Sequence, residues 1–214
     1  MIKLGGCKKV VYEQNLLTKL KVVLMSKQGV TVVILAGGQG RRMGGQDKGW
    51  VEYEGKPMIQ HILERLTPQA DEVIIIANRN QPDYEALGVP VFADFLEGFQ
   101  GPLVGIATGL KEAQYDLVVF VPCDGPFISP ELVKAFSEQY KRFKKPVIVA
   151  NDGNRLQPMV VMIEKQLLPH LLQSIEAGER KPDRWYASVG MDEVSFEPQS
   201  LHNFNTPEQI NIRK

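Results

Sequence analysis

Short runs of β-branched residues, separated by stretches with helical character, limit this 214-residue chain more than any other feature. Val30 to Ala36, Val73 to Ala77, Leu117 to Pro122 and Pro146 to Ala150 are near-continuous apolar runs, the mark of parallel strands buried on both faces. Met58 to Leu66, Leu103 to Ala113 and Pro130 to Phe143 read as helices between them. Pro57 and Pro130 fit first-turn positions, and Ser129 fits an N-cap. Further strands are expected at Val89 to Ala93, Met159 to Ile163 and Glu193 to Phe196, with a helix over 165–177. This alternation predicts an α/β fold whose mostly parallel central sheet is covered by helices on both faces.

The length favours a single domain at roughly 150 residues per domain. No internal repeat or low-complexity linker interrupts it. Residues 1–24 stand apart because they have no clear period, and Met25-Ser26-Lys27-Gln28-Gly29 resembles a second start ahead of the first strand. Two readings stay open there: an upstream extension, or an extra helix over residues 11–24.

Composition narrows the function classes. Twenty-five basic residues oppose 25 acidic ones, so the chain lacks the basic excess of a protein that coats nucleic acid. Its longest wholly apolar runs, such as Val32 to Ala36, are five residues long, far short of the roughly twenty a membrane span needs. Lys19 and Lys21 break the only apolar patch near the start, so no secretory signal is read. Two cysteines, Cys7 and Cys123, cannot make a disulfide framework or a zinc site by themselves. These features predict a cytoplasmic protein without a membrane or nucleic-acid partner.

The strongest chemical signal follows the first strand: Leu35-Ala36-Gly37-Gly38-Gln39-Gly40-Arg41-Arg42-Met43-Gly44-Gly45-Gln46-Asp47-Lys48. Five glycines in nine residues let the backbone come close to a ligand, and its N–H groups can ring phosphate oxygens. Arg41, Arg42 and Lys48 against Asp47 give the segment a net charge of +2 in a chain that is neutral overall. The dinucleotide fingerprint fails because Met43 stands where its last glycine belongs, and the P-loop fails because Asp47 precedes the lysine. What remains is a nucleotide-phosphate site of another kind.

Asp124, in Pro122-Cys123-Asp124-Gly125-Pro126, follows another strand. Open α/β sheets bind ligands at the carboxyl ends of their strands, so this carboxylate and the glycine loop should meet in one crevice. Alone, Asp124 reads first as a turn aspartate before Gly-Pro. Beside the loop it becomes a candidate ligand for Mg²⁺, which takes one or two carboxylates plus substrate phosphates. Asp94 precedes a second glycine-rich stretch, Gly98 to Gly105, and either binds a base or ribose edge or caps its loop. His61, His170 and His202 have no spacing for a metal pair or a triad. Cys123 reads as a small packed residue.

These residues resemble the L-A-G-G-x-x-x-R-M-G-x-D-K signature of nucleotidyltransferases with a three-layer Rossmann-like fold, and within them the molybdenum cofactor guanylyltransferases. Gly101-Pro102-Leu103-Val104-Gly105, Pro122 to Pro126 and Asn203-Phe204-Asn205-Thr206-Pro207-Glu208 carry the narrower match, with Gln157-Pro158 and Ala177-Gly178-Glu179-Arg180 in weaker agreement. The resemblance covers roughly residues 30–210 and makes residues 25–214 one nucleotidyltransferase domain. It implies transfer of GMP from GTP to the phosphate of molybdopterin, with release of pyrophosphate; the alternative is a molybdopterin cytidylyltransferase or another small-molecule nucleotidyltransferase. By position it gives Leu35, Ala36 and Gly37, with Gly38 of the same loop, contacts to the nucleotide, Lys48 its phosphates, Asp94 the guanosine, and Asp124 the Mg²⁺; Arg41 or Arg42, with Arg42 the catalytic candidate, would screen the phosphate charge. Where the family often has asparagine this chain has Ile76, so Asn78 is the candidate for that contact. Asn203 and Asn205, flanking Phe204, are candidates for reading the acceptor, although Asn205 could equally cap a helix near Pro207. Maturation proteins of molybdoenzymes are the partners this activity would call for.

Overall fold

The structure, a computed structural model, describes residues 28–38, 45–96, 101–204 and 209. The strands are β1 (Val30–Leu35), β2 (Glu52–Tyr53), β3 (Lys56–Pro57), β4 (Glu72–Ile76), β5 (Val91–Phe92), β6 (Leu117–Pro122), β7 (Val147–Asn151), β8 (Leu156–Glu164) and β9 (Met191–Ser195). The helices are α1 (Met58–Leu66), α2 (Gln81–Glu85), α3 (Pro102–Glu112), α4 (Leu132–Phe143), α5 (Leu168–Glu176) and α6 (Pro182–Val189).

Seven strands form the central sheet in the order β5-β4-β1-β6-β8-β7-β9, and β2 pairs with β3 in a separate small hairpin. β1 runs parallel to both β4 and β6, with Val33 beside Ile74 on one side and Phe120 on the other. Successive β1 side chains point to opposite faces and are buried on both. Val32 and Ile34 join Ile59, Ile62 and Leu66 of α1 and Phe136 of α4 on one face. Val33 packs with Leu103 and Ile106 of α3, Leu171 of α5 and Trp185 of α6 on the other. Each fully buried side chain of this kind stabilises by about 1.5–3 kcal/mol. The two faces account for the unbroken apolar runs in the sequence.

The mostly parallel sheet covered on both faces is as expected, but three elements differ in detail. The run at Met159 lies in β8, which is antiparallel to both β6 and β7. Its reason is local: a tight turn at Asp152–Arg155 leaves no chain for a helical crossover, so β7 must fold straight back. Ser129 does not cap α4 directly. Its Oγ accepts from the N–H of Glu131 at 3.1 Å, and the helix begins at Leu132. The helix α6, which buries Trp185 and Tyr186, went unread in the sequence because charges at Asp183 and Arg184 break its apolar pattern. Both readings of residues 1–24 lie outside the described residues.

Candidate active site

The strand order reverses between β1 and β6. The chain runs outward from β1 to β4 and β5, then returns to lay β6 on the other side of β1. Such a reversal opens a crevice at the carboxyl ends of the strands. Three hydrogen bonds continue the ladder past these ends: Ala36 N to Ile76 O (2.8 Å), Cys123 N to Leu35 O (3.1 Å) and Ala77 N to Phe92 O (2.9 Å). They fix where the segments after β1, β4 and β6 begin. A cavity of about 460 Å³ lies there, and Leu35, Ala36, Gly37, Gly38, Lys48, Asp94 and Asp124 all line it. Gly101, Pro102 and Gly105 of the α3 N-terminal turn form another wall. Lining residues 124 sequence positions apart, Leu35 and Met159, thus share one crevice.

Lys48 and Asp124 meet directly. Lys48 Nζ donates to Asp124 Oδ2 at 2.7 Å, and Asp124 is only 8% exposed. Asp124 Oδ1 is buried with no hydrogen-bond partner among the described residues. Leaving a buried carboxylate oxygen without a donor costs about 1–3 kcal/mol or more, which a hard cation would offset. No group of three or more His, Cys, Asp or Glu side chains suited to a metal occurs among the described residues. A cation held by Asp124 would therefore take its remaining oxygens from a bound ligand and water, as Mg²⁺ commonly does.

Asp94 is held by a reciprocal pair. Asn78 Nδ2 donates to Asp94 Oδ2 at 2.8 Å, and Asp94 N donates to Asn78 Oδ1 at 2.9 Å. Thr108 Oγ1 lies 3.2 Å from Asp94 Oδ1. Gly37 is required by this pair, because a Cβ there would lie 2.9 Å from Asn78 Nδ2. Asn78 thus stands against Gly37 with its amide engaged by Asp94, while Ile76 contributes an apolar wall.

A further network was not foreseen from the sequence. In the sequence Asp47 reads only as a charge before Lys48. Its carboxylate accepts from Tyr84 Oη (2.6 Å), Asn80 Nδ2 (3.0 Å) and the N–H of Gly49 (3.3 Å), with Arg79 Nε at 3.8 Å. Burial pushes the Tyr84 phenol well above its ordinary pKa, and its hydrogen bond to the Asp47 carboxylate adds to this, so it stays a donor. Arg79 Nη1 and Nη2 donate to Gly45 O and Gln46 O, both at 2.8 Å. In the sequence Arg79 directly follows Asn78, the candidate nucleotide contact.

Cys123 is buried, and desolvation first, then the Asp124 carboxylate, raises its thiol pKa strongly, which makes it a packing residue with no thiolate to offer. His61 is likewise structural, with Nε2 2.7 Å from Tyr53 O. His170 Nδ1 accepts from Trp185 Nε1 at 3.0 Å. Near the chain's end, Phe204 is fully buried with Tyr53 and Met58, and its N–H donates to Asp124 O at 2.9 Å. That anchor brings Asn203 against Gly125, where its Oδ1 lies 2.8 Å from the place of an added Cβ. Arg41, Arg42, Gly98 and Asn205 lie outside the described residues.

Comparison with known proteins finds relatives of this chain in sequence and in structure. Residues 32–194 match the family model described as the MobA-like NTP transferase domain. The chain is 45% identical over 183 residues to a molybdenum cofactor guanylyltransferase of Shewanella amazonensis, covering 85% of this chain and 93% of that protein. It is 44% identical over 180 residues to one of Vibrio campbellii, covering 83% and 91%. Among solved structures, molybdopterin-guanine dinucleotide biosynthesis protein A from Archaeoglobus fulgidus superposes with a TM-score of 0.69 at 23% identity, covering 85% of this chain and 95% of that one. A 4-diphosphocytidyl-2C-methyl-D-erythritol synthase from Anaerococcus prevotii gives 0.70 at 14% identity, covering 90% and 96%. Both structural likenesses speak for the fold alone.

Proposed function

The chain belongs to the MobA-like NTP transferase family, and from that premise we propose that it transfers GMP from GTP to the phosphate of molybdopterin, releasing pyrophosphate. The observation that carries this for the site is the Lys48–Asp124 pair at the switch-point cavity, with Asp124 Oδ1 buried and unpartnered among the described residues.

An oxygen of the acceptor phosphate forms a bond to the α-phosphorus of GTP. The bond from that phosphorus to the α,β-bridging oxygen breaks, and pyrophosphate leaves with the electron pair. The acceptor is already an anion, so no strong base is needed, and among the described residues no histidine lines the cavity. The obstacle is repulsion between two sets of phosphates, which makes positioning and charge neutralisation the main demands. Lys48 is the cation we assign to the nucleotide phosphates, with Arg42 as a second. Asp124 is the ligand we assign to a divalent cation, taken to be Mg²⁺, which would neutralise charge developing on the phosphate oxygens. The backbone of Leu35, Ala36, Gly37 and Gly38 would approach the nucleotide closely, and Asp94, braced by Asn78, would accept from guanosine. Asn203 and Asn205 are assigned to the acceptor, because Phe204 ties their segment to the Asp124 backbone.

No helix among the described residues is long and apolar enough to cross a membrane. We assign the reaction to the cytoplasm, where GTP is made, and maturation proteins for molybdoenzymes as recipients of the product. The test is kcat/KM for GTP and for CTP with the same molybdopterin acceptor. GTP should be preferred at least tenfold, because a site that accepts from guanine N1–H and its amino group leaves acceptors unsatisfied with cytosine, at about 1–3 kcal/mol each. A preference for CTP, or a ratio near one, would reject the assignment.

A further inference from the structure

We propose that Asp47 and Tyr84 are positioning residues for Lys48, setting the direction from which its ammonium meets the nucleotide phosphates. This rests on the nucleotidyl-transfer reading of the cavity given above.

Lys48 opens a single 3₁₀ turn, Lys48–Trp50. Three residues of such a turn cannot hold their own orientation, since one hydrogen bond fixes little backbone. The rigidity comes from outside. Asp47 precedes the turn and caps it through the N–H of Gly49 at 3.3 Å. The same carboxylate is gripped by Tyr84 Oη at 2.6 Å and Asn80 Nδ2 at 3.0 Å, both from the segment after β4. Arg79 secures the two residues before Asp47 by forking onto Gly45 O and Gln46 O. The Tyr84 ring also forms the seat of the turn: a Cβ at Gly49 would lie 2.5 Å from its hydroxyl, and Trp50 packs on it at 5.4 Å between ring centroids.

This network converges on the backbone on either side of one residue, and that residue's ammonium lies 2.7 Å from Asp124. Asp47 also borders the cavity, yet both its oxygens are engaged by protein donors. It therefore acts through Lys48 and not as a second metal ligand. Asn80 completes the device in a left-handed conformation (φ 52°), which asparagine tolerates better than most residues. Its carbonyl accepts from the N–H groups of Asp83 and Tyr84, so the start of α2 and the side chain gripping Asp47 share one anchor.

The chain supplies its own control. Tyr140 Oη donates to Glu164 Oε1 at 2.6 Å, the same chemistry, but Glu164 pairs with Leu117 at the amino end of β6, opposite the cavity.

The experiment is a double-mutant cycle on the full chain, read both by Mg-GTP affinity in calorimetry and by steady-state kinetics with molybdopterin. Tyr84→Phe keeps the ring and its packing and removes one hydroxyl. It should lower kcat/KM for GTP about tenfold when Lys48 is present, and less than about twofold in a Lys48→Ala background, because contacting residues that act as a unit are not additive. Asp47→Asn should show the same coupling, and Tyr140→Phe should change neither reading. Equal losses in both Lys48 backgrounds would mean that Tyr84 only stabilises the fold, and would overturn the proposal, as would a Tyr84→Phe enzyme with unchanged kcat/KM. Failure of the wild-type protein to bind Mg-GTP would instead remove the reading of the cavity on which the proposal stands.

Discussion

Gly37→Ala adds one methyl group at the point where the glycine loop, Asn78 and Asp94 converge. The backbone of Gly37 is not in the left-handed region, so alanine brings no torsional strain, and the effect is steric. Its Cβ would lie 2.9 Å from Asn78 Nδ2 and 3.8 Å from Asp94 Oδ2. Ordinary contact requires about half an ångström more from the amide. Moving Asn78 that far stretches hydrogen bonds of 2.8 and 2.9 Å beyond the usual range of about 3.2 Å. At a net 0.5–1.5 kcal/mol for each bond, about 2 kcal/mol is lost from the brace on Asp94, equivalent to about a 30-fold fall in kcat/KM for GTP. The bonds lie at the crevice and outside the apolar clusters, so the melting temperature should fall by no more than a few degrees. The assay is steady-state kinetics with GTP and molybdopterin, with thermal unfolding alongside. A Gly37→Ala protein with wild-type kcat/KM for GTP would refute the view that Asn78 and Asp94 form one guanosine-reading unit.

Asp124→Asn should nearly abolish turnover while circular dichroism stays unchanged, since the metal interaction it removes is worth several kcal/mol in the transition state; near wild-type turnover at saturating GTP and Mg²⁺ would dismiss Asp124 as the ligand. Lys48→Ala should lower kcat/KM by more than tenfold, about 1.4 kcal/mol or greater, and an unchanged value would return Lys48 to a surface role. Phe204→Ala opens a cavity in the cluster with Tyr53 and Met58 and should cost about 3 kcal/mol, lowering the melting temperature by about 6–12 °C and raising KM for molybdopterin; a stable protein with unaltered KM would detach the end of the chain from the acceptor site. Burial raises the Cys123 thiol far above the ordinary value near 8.5, so it binds its proton throughout neutral and mildly alkaline solution. Cys123→Ala should therefore leave the pH profile of kcat unchanged between about pH 6 and pH 9, and the loss of an alkaline limb would show a thiolate in the reaction.

The parallel strands were legible because each carries a run of apolar residues that only a sheet buried on both faces can accommodate. Lys48 and Asp124 were legible because each closes a local signature, a glycine loop after β1 and a turn after β6. The 2.7 Å contact between them was not, since strand order decides whether two such segments meet. The grip of Tyr84 on Asp47 spans 37 positions, and nothing near either residue announces it. Tyr84 reads locally as one aromatic in a short polar helix. β8 extends beyond the apolar run at Met159 to Ile163, because Gln157 and Pro158 interrupt the pattern although both lie within the strand.

Attack at the α-phosphorus of GTP is the central step of the reaction, and isotopic labelling tests it most directly. The protein is incubated with Mg²⁺, molybdopterin and GTP labelled with ³²P at either the α or the γ position, and the cofactor is separated from pyrophosphate. Label from the α position should appear in the cofactor fraction, and label from the γ position wholly in pyrophosphate, with one pyrophosphate released per dinucleotide formed. Release of γ label as inorganic phosphate, or its transfer to the cofactor, would contradict nucleotidyl transfer at this cavity.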